Sequence, residues 1–134
     1  MTFNYIAAQV SNHCKKYLDE KSSRVMDIGV QTPSIKNSLI KDYVKPEAFH
    51  SNKQELCYRK IINEVQFSTK DFFLALGYKN YFSIDINGAN ESFQFDLNQN
   101  ISQAHKFNER YELVINNGTG EHVFNQYSLY ENIH

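Results

Sequence analysis

Residues 111–127 read YELVINNGTGEHVFNQY, and their order decides what kind of fold the chain builds. Leu113-Val114-Ile115 is a short apolar run of the sort that fills a buried strand. Asn116-Asn117-Gly118-Thr119-Gly120 then breaks the run with turn formers, and an apolar-periodic segment from about Val123 predicts a helix. A strand handing over to a helix through a polar, glycine-containing turn is a unit of a layered α/β sheet. The junction also carries an acid and a histidine, Glu121-His122. Three readings compete for that pair: metal ligation, an acid/base couple, or the lining of a cofactor pocket.

The same alternation recurs upstream. Thr2 to about Asp19 places Phe3, Ile6, Ala7, Val10, Cys14, Tyr17 and Leu18 at helical spacing, with Thr2 as N-cap. Arg24 to Val30 reads as a short strand with a glycine near its end, and residues 31–34 as a turn. Residues 35–66 have no clear period, and Pro46 limits any helix there. A helix is expected over about Lys53–Glu64, with Leu56, Cys57, Lys60, Ile61 and Val65 on one stripe. Ser68 reads as the N-cap of a further helix, with Gly77 as its left-handed C-cap. Tyr81–Ile86 and Ser92–Leu97 read as strands, the second near a sheet edge because of its alternation. A short helix about Ser102–Phe107, the strand Tyr111–Ile115 and the final helix complete the order. Strands alternating with helices predict a mostly parallel sheet flanked by helices, of about four strands.

Length and composition set the class. The 134 residues make one domain, and 41% hydrophobic with 14% aromatic residues supply a real core. A net charge of −1 without a long basic run argues against a nucleic-acid binder. No apolar stretch reaches membrane-spanning length, and Met1–Val10 lacks the pattern of a signal peptide. Cys14 and Cys57 are isolated and read as reduced thiols of a cytoplasmic protein. On that reading the sequons at Asn100 and Asn117 are chance matches.

The acids fall in a pattern. Asp27 lies in the first strand just before Gly29, and Asp85 and Asp96 lie at the ends of the next two. Ligands of open parallel sheets bind outside the carboxyl ends of the strands, where strand order reverses. A carboxylate there accepts from two adjacent ribose hydroxyls, and a glycine lets backbone approach a ligand closely. Strand-end aspartates are also common turn formers and caps, so the structural alternative stands beside the ligand one. Gly29-Val30-Gln31-Thr32-Pro33 keeps one glycine of the phosphate-binding fingerprint. A dinucleotide is therefore disfavoured, and a nucleoside without phosphates is not.

VMDIGVQ, YFSIDINGANESFQFDLN and YELVINNGTGEHVFNQYSLYENIH together resemble the class I, Rossmann-like S-adenosylmethionine-dependent methyltransferases. The resemblance covers about residues 24–32 and 70–134. It implies an S-adenosylmethionine cofactor and methyl transfer to an acceptor that the sequence does not name. It implies that Asp27 and Gly29 approach the methionine part, and that Asp85, followed by Ile86, holds the ribose. Asp96 and Leu97 would sit beside the adenine. Asn117, Gly118 and Thr119 would lie on the methyl-donor side, with Glu121 and His122 lining the pocket.

Three features depart from the family. The first motif has a single glycine. About 55 residues separate Gly29 from Asp85, against roughly 20 in the nucleotide-binding fingerprint, so residues 33–68 read as an inserted segment or lid. The chain also stops at His134, where family members continue through a glycine turn and further strands. The expected consequence is an incomplete sheet with Tyr111–Ile115 as an open edge, available to a second copy or a partner chain. A non-catalytic interaction or assembly module is accordingly the alternative to an enzyme.

For Glu121-His122, metal ligation lacks companions: His13, His50, His105 and His134 show no paired spacing. An acid/base couple lacks a nucleophile motif. Pocket lining competes with a structural role, Glu121 being an acid in a helix's first turn.

Overall fold

The computed structural model of the chain describes residues 4–34, 36–63 and 66–134, with the side chain of Ala48 outside that description. Thr2, Phe3, Glu64 and Val65, to which the sequence assigned helical roles, lie outside the described residues. The chain is mixed helix and strand, with a small parallel three-stranded sheet flanked by helices. Strand β1 (Arg24–Ile28) occupies the centre. It pairs with β2 (Asn80–Ile84), Asp27 opposite Ser83, and with β3 (Leu113–Ile115), Asp27 opposite Ile115. A central parallel strand is covered on both faces, which is why Val25, Met26, Asp27 and Ile28 are all buried.

Period-two alternation sends the side chains of β1 into two separate cores. Val25 joins Ile40, Tyr58, Ile61, Phe72, Phe73 and Tyr78 on one face. That face is covered by α1 (Tyr5–Cys14), α2 (Ile40–Tyr43), α3 (Asn52–Ile62) and α4 (Thr69–Leu76). Met26 and Ile28 join Ile84, Leu97, Ile101, Val123 and Leu129 on the other, under α5 (Ile101–His105) and α6 (Gln126–Ile133).

Helix α4 forms because its ends are closed by local chemistry. The Ser68 hydroxyl accepts from Asp71 N while the Asp71 carboxylate accepts from Ser68 N, a reciprocal capping box. Gly77 ends the helix at φ +108, as the sequence predicts. Asp71 also takes the Lys60 ammonium of α3 at 2.6 Å, so the cap clamps the two helices together. Hydrogen bonds from Lys60 and Ser68 hold the Asp71 carboxyl below its ordinary range against the opposing effect of burial. Within residues 33–68, Ile40 of α2, Val44 just after it, and Tyr58 and Ile61 of α3 join the core.

Several expectations shift. The first helix starts later, at an Asn4 cap whose side chain accepts from Ala7 N. Helix α3 buries Gln54, Cys57, Tyr58 and Ile61 and leaves Leu56 exposed, so the expected stripe is rotated towards Tyr58. Ser92–Leu97 is not a strand. Phe93 alone pairs beside Ile84, donating to Ser83 O and accepting from Asp85 N. Beyond it the partner strand has ended, because Asp85 turns the chain by accepting from Asn87 N. Gln94–Leu97 then has no backbone to pair with, and three named strands stand where about four were expected.

Candidate functional site

The carboxyl ends of the three strands bring the loops after β1, β2 and β3 together, and α4 starts beside them. Gly29 leaves β1 at φ +80 and donates to Ile84 O at 2.7 Å. A Cβ there would lie 1.9 Å from Thr119 Oγ1, so the group that requires a glycine is the threonine of the loop after β3. Gln31 Nε2 donates to the same Oγ1 at 3.3 Å, and Thr69 of α4 donates to Gln31 O. Residues up to 90 positions apart are thus tied into one junction of Gly29, Gln31, Thr69 and Thr119. The Oε1 of Gln31 is buried there without a hydrogen-bond partner among the described residues.

Asp27 lies beneath this junction. It is buried, and its Oδ2 accepts from the Tyr81 hydroxyl at 2.6 Å. Burial pushes its carboxyl up to about 6; the Tyr81 hydroxyl pulls it down and the Asp85 charge adds to the rise. The Thr69 hydroxyl has a single proton, directed at Gln31 O, and Asp27 Oδ1 is left without a donor among the described residues. Burial and the Asp27 charge together raise the Tyr81 hydroxyl far above its ordinary value, so it remains a donor.

Asp85 sits at the tip of β2. Its Oδ2 accepts from Val30 N at 3.1 Å and its Oδ1 from Asn87 N at 2.8 Å, coupling the loops after β1 and β2. A carboxylate offers about four acceptor positions, so two protein bonds leave capacity for hydroxyl donors. Ile86 follows with 63% of its surface exposed, a large apolar side chain left bare beside that carboxylate. A cavity of about 400 Å³ opens next to the β1 loop, against Gln31, Thr32, Lys60, Ser68, Asp71 and Asn90.

The remaining sequence candidates are not all gathered here. Asp96 turns its carboxylate on Asn98, accepting from both its backbone and its side-chain amide, which holds the acid below its ordinary range. Leu97 is buried in the core under α5. It lines a separate cavity of about 320 Å³ on the sheet face opposite Asp27, floored by Met26, Ile28, Ile84 and Val114. Asn117, Gly118 and Thr119 follow β3, with Gly118 at φ +87. Glu121 and His122 are the exposed residues of a single turn, Gly120–His122, whose Gly120 is buried, ahead of α6. Among the described residues no group of three His, Cys, Asp or Glu side chains could hold a metal ion. Nor is any helix among them long and apolar enough to cross a membrane.

Sequence reasoning missed Gln31, Thr69, Tyr81 and Asn116. Asn116 Oδ1 accepts from Gly120 N at 2.8 Å and so shapes the loop that carries Thr119. Tyr81 had a signal: a buried mid-strand aspartate requires a donor, and the neighbouring strand's period of two offers one on the same face. No family model matches this chain, no curated protein matches it, and no solved structure matches its fold.

Proposed function

We propose that the chain is a Rossmann-like, methyltransferase-like domain that binds S-adenosylmethionine at the carboxyl ends of its strands and presents it to an acceptor. One observation carries the reading. The chain runs from β1 outward to β2 and Phe93, then crosses to β3 on the other side of β1, so strand order reverses at β1/β3. Gly29, Thr119 and Asp85 converge beside that reversal, where ligands of open parallel sheets bind.

The residues present fit the group. Asp85 keeps acceptor capacity for the two ribose hydroxyls, and exposed Ile86 offers an apolar surface to a base. The unpartnered Gln31 Oε1 accepts a donor such as the amino group of the methionine part. By resemblance, Asn117 to Thr119 with Glu121 and His122 border the methyl-donor side; Asp96, bonded within its own turn, and Leu97, in the core under α5, are not gathered with them. The cofactor supplies an electrophilic methyl on a sulfonium. The protein's part is positional: Asp85 links two loops, Tyr81 and Asp27 brace the strand ends, and aligned approach lowers the barrier without an acid/base couple.

Titration calorimetry with S-adenosylmethionine tests this directly. Binding is expected, and Asp85→Ala weakens it by about 10- to 100-fold, the value of hydrogen bonds to a charged acceptor. Absence of heat from the wild-type chain overturns the reading. A second reading, a non-catalytic interaction module, is supported by large apolar side chains left bare on α1 and α6. It requires self-association or a partner and no cofactor binding.

A further inference from the structure

Helix α1 is turned inside out. Its buried positions are the small residues Ala8 and Ser11, while Ile6 and Val10 face solvent. Ile6, Val10, His13 and, in the following turn, Tyr17 are spaced four, three and four apart, the seam that one helix offers to another. Tyr17 is 76% exposed and packs its ring against His13. Between this seam and Tyr43 of α2 lies an open groove of about 400 Å³, lined by Gln9, Val10, His13 and Lys16 among others. Normal amphipathicity would bury the large side chains and expose the small ones.

At the other side of the chain, α6 shows the complementary feature. Phe124 just before it is 96% exposed, and Tyr127 and Tyr130 are bare along it at intervals of three. Of the large apolar side chains exposed among the described residues, all but Leu56 and Ile86 belong to these two regions. Their charges are opposite. Residues 4–18 contain Lys16, which lines the groove, and Lys15, whose ammonium donates to Leu76 O, and no carboxylate; residues 121–134 contain Glu121 and Glu131 and neither lysine nor arginine. Glu131 accepts from the Asn100 side-chain amide at 3.3 Å, and its carboxylate raises the Tyr127 hydroxyl above its ordinary value.

We propose that the occupant of each face is the other face on a second copy of this chain: α6 of one molecule docks on α1 of the next, with the Phe124 ring entering the groove beside Tyr43. Two unlike, complementary faces make a head-to-tail contact, which extends into rings or open chains and does not stop at a two-fold dimer. Opposite charges at the rims orient the pair and disfavour α1 on α1 or α6 on α6. The contact is distinct from pairing through the β3 edge and stands whether or not the chain binds a cofactor.

Light scattering of two surface variants tests it. The Ile6→Ser/Val10→Ser chain has lost the α1 face, and the Phe124→Ser/Tyr127→Ser chain has lost the α6 face. The wild-type chain is expected to self-associate with concentration beyond a dimer, and each variant alone to be a monomer with an unchanged circular dichroism spectrum. Mixed one to one, the variants should form a dimer and nothing larger, because one intact face of each kind remains. A wild-type chain monomeric up to about 1 mM overturns the proposal. So does either variant that still self-associates alone, which would point to a like-on-like contact or to the sheet edge.

Discussion

The two flanks of β1 are built to different standards. On the β2 side, α4 buries six of its eight residues, its ends are closed by the capping box and Gly77, and Asp71 ties it to α3. On the β3 side the strand is three residues long and half-buried throughout, and α6 buries only Ser128 and Leu129. The contrast separates two jobs. The β2 flank holds the strand ends still, and the β3 flank keeps apolar side chains in contact with solvent. A fold that concentrates its core on one flank can leave the other free for association.

The sharpest way to break this comparison is to empty each flank in turn. Phe72→Ala removes a fully buried ring beside the β2 flank and should cost about 3–5 kcal/mol in urea unfolding. Leu129→Ala, equally buried but in the sparser flank, should cost less, near the lower end of the 2–5 kcal/mol range, because a site with fewer neighbours relaxes more readily. Equal losses would sink the distinction.

Asp27 probes the centre between the flanks. Its folded carboxyl lies at about 6 against 3.8 for the free group, so the folded state prefers the protonated acid. The stabilisation this confers is complete below pH 4 and lost as pH rises through 6. The difference amounts to about 3 kcal/mol at most. Asp27→Asn should therefore gain stability over the wild-type chain as pH is raised from 4 to 7, a trend read from urea midpoints. A flat difference across that interval would contradict the buried, donor-poor setting described for this side chain.

Gly29→Ala should cost about 1–3 kcal/mol, combining a left-handed backbone with collision against Thr119. Adding Thr119→Gly should return part of that loss but not the backbone strain. If nothing is recovered, the β1 and β3 loops do not meet as described. Asn116→Ala, which unties Gly120 N, should cost about 1 kcal/mol in thermal unfolding. The smallest effect belongs to Phe124→Ser, within about 0.5 kcal/mol for the monomer, since its ring touches solvent almost entirely.

Local chemistry accounts for what could be read in advance. Ser68, Asp71 and Gly77 mark the ends of α4 through bonds that span three or four residues, so no distant partner is needed to foresee them. The apolar run Leu113–Ile115 and the mostly apolar Val25–Ile28 became parallel strands, and the central one, buried on both faces, admits few polar residues. Leu56 shows where that logic fails. A helical stripe drawn from apolar letters alone cannot tell Leu56 from Tyr58 until the neighbouring helix arrives. Ser92–Leu97 fails for the opposite reason: it has a strand's alternation, but its partner strand ends first.

The site divides the same way. Asp27, Gly29 and Asp85 are legible because strand ends and glycines are marked in the sequence, and loops at the carboxyl ends of parallel strands converge. That Gly29 is required by Thr119, that Tyr81 serves Asp27, and that Asp96 bonds within its own turn are contacts between chain segments or choices of rotamer. The sequence by itself determined the alternation of helices and strands, the caps and the turn chemistry, because those energies act within a few residues. Only the tertiary structure decided strand order, the meeting of the loops after β1 and β3, and which apolar side chains remain bare. Those depend on packing between residues far apart along the chain, where no local period carries the information.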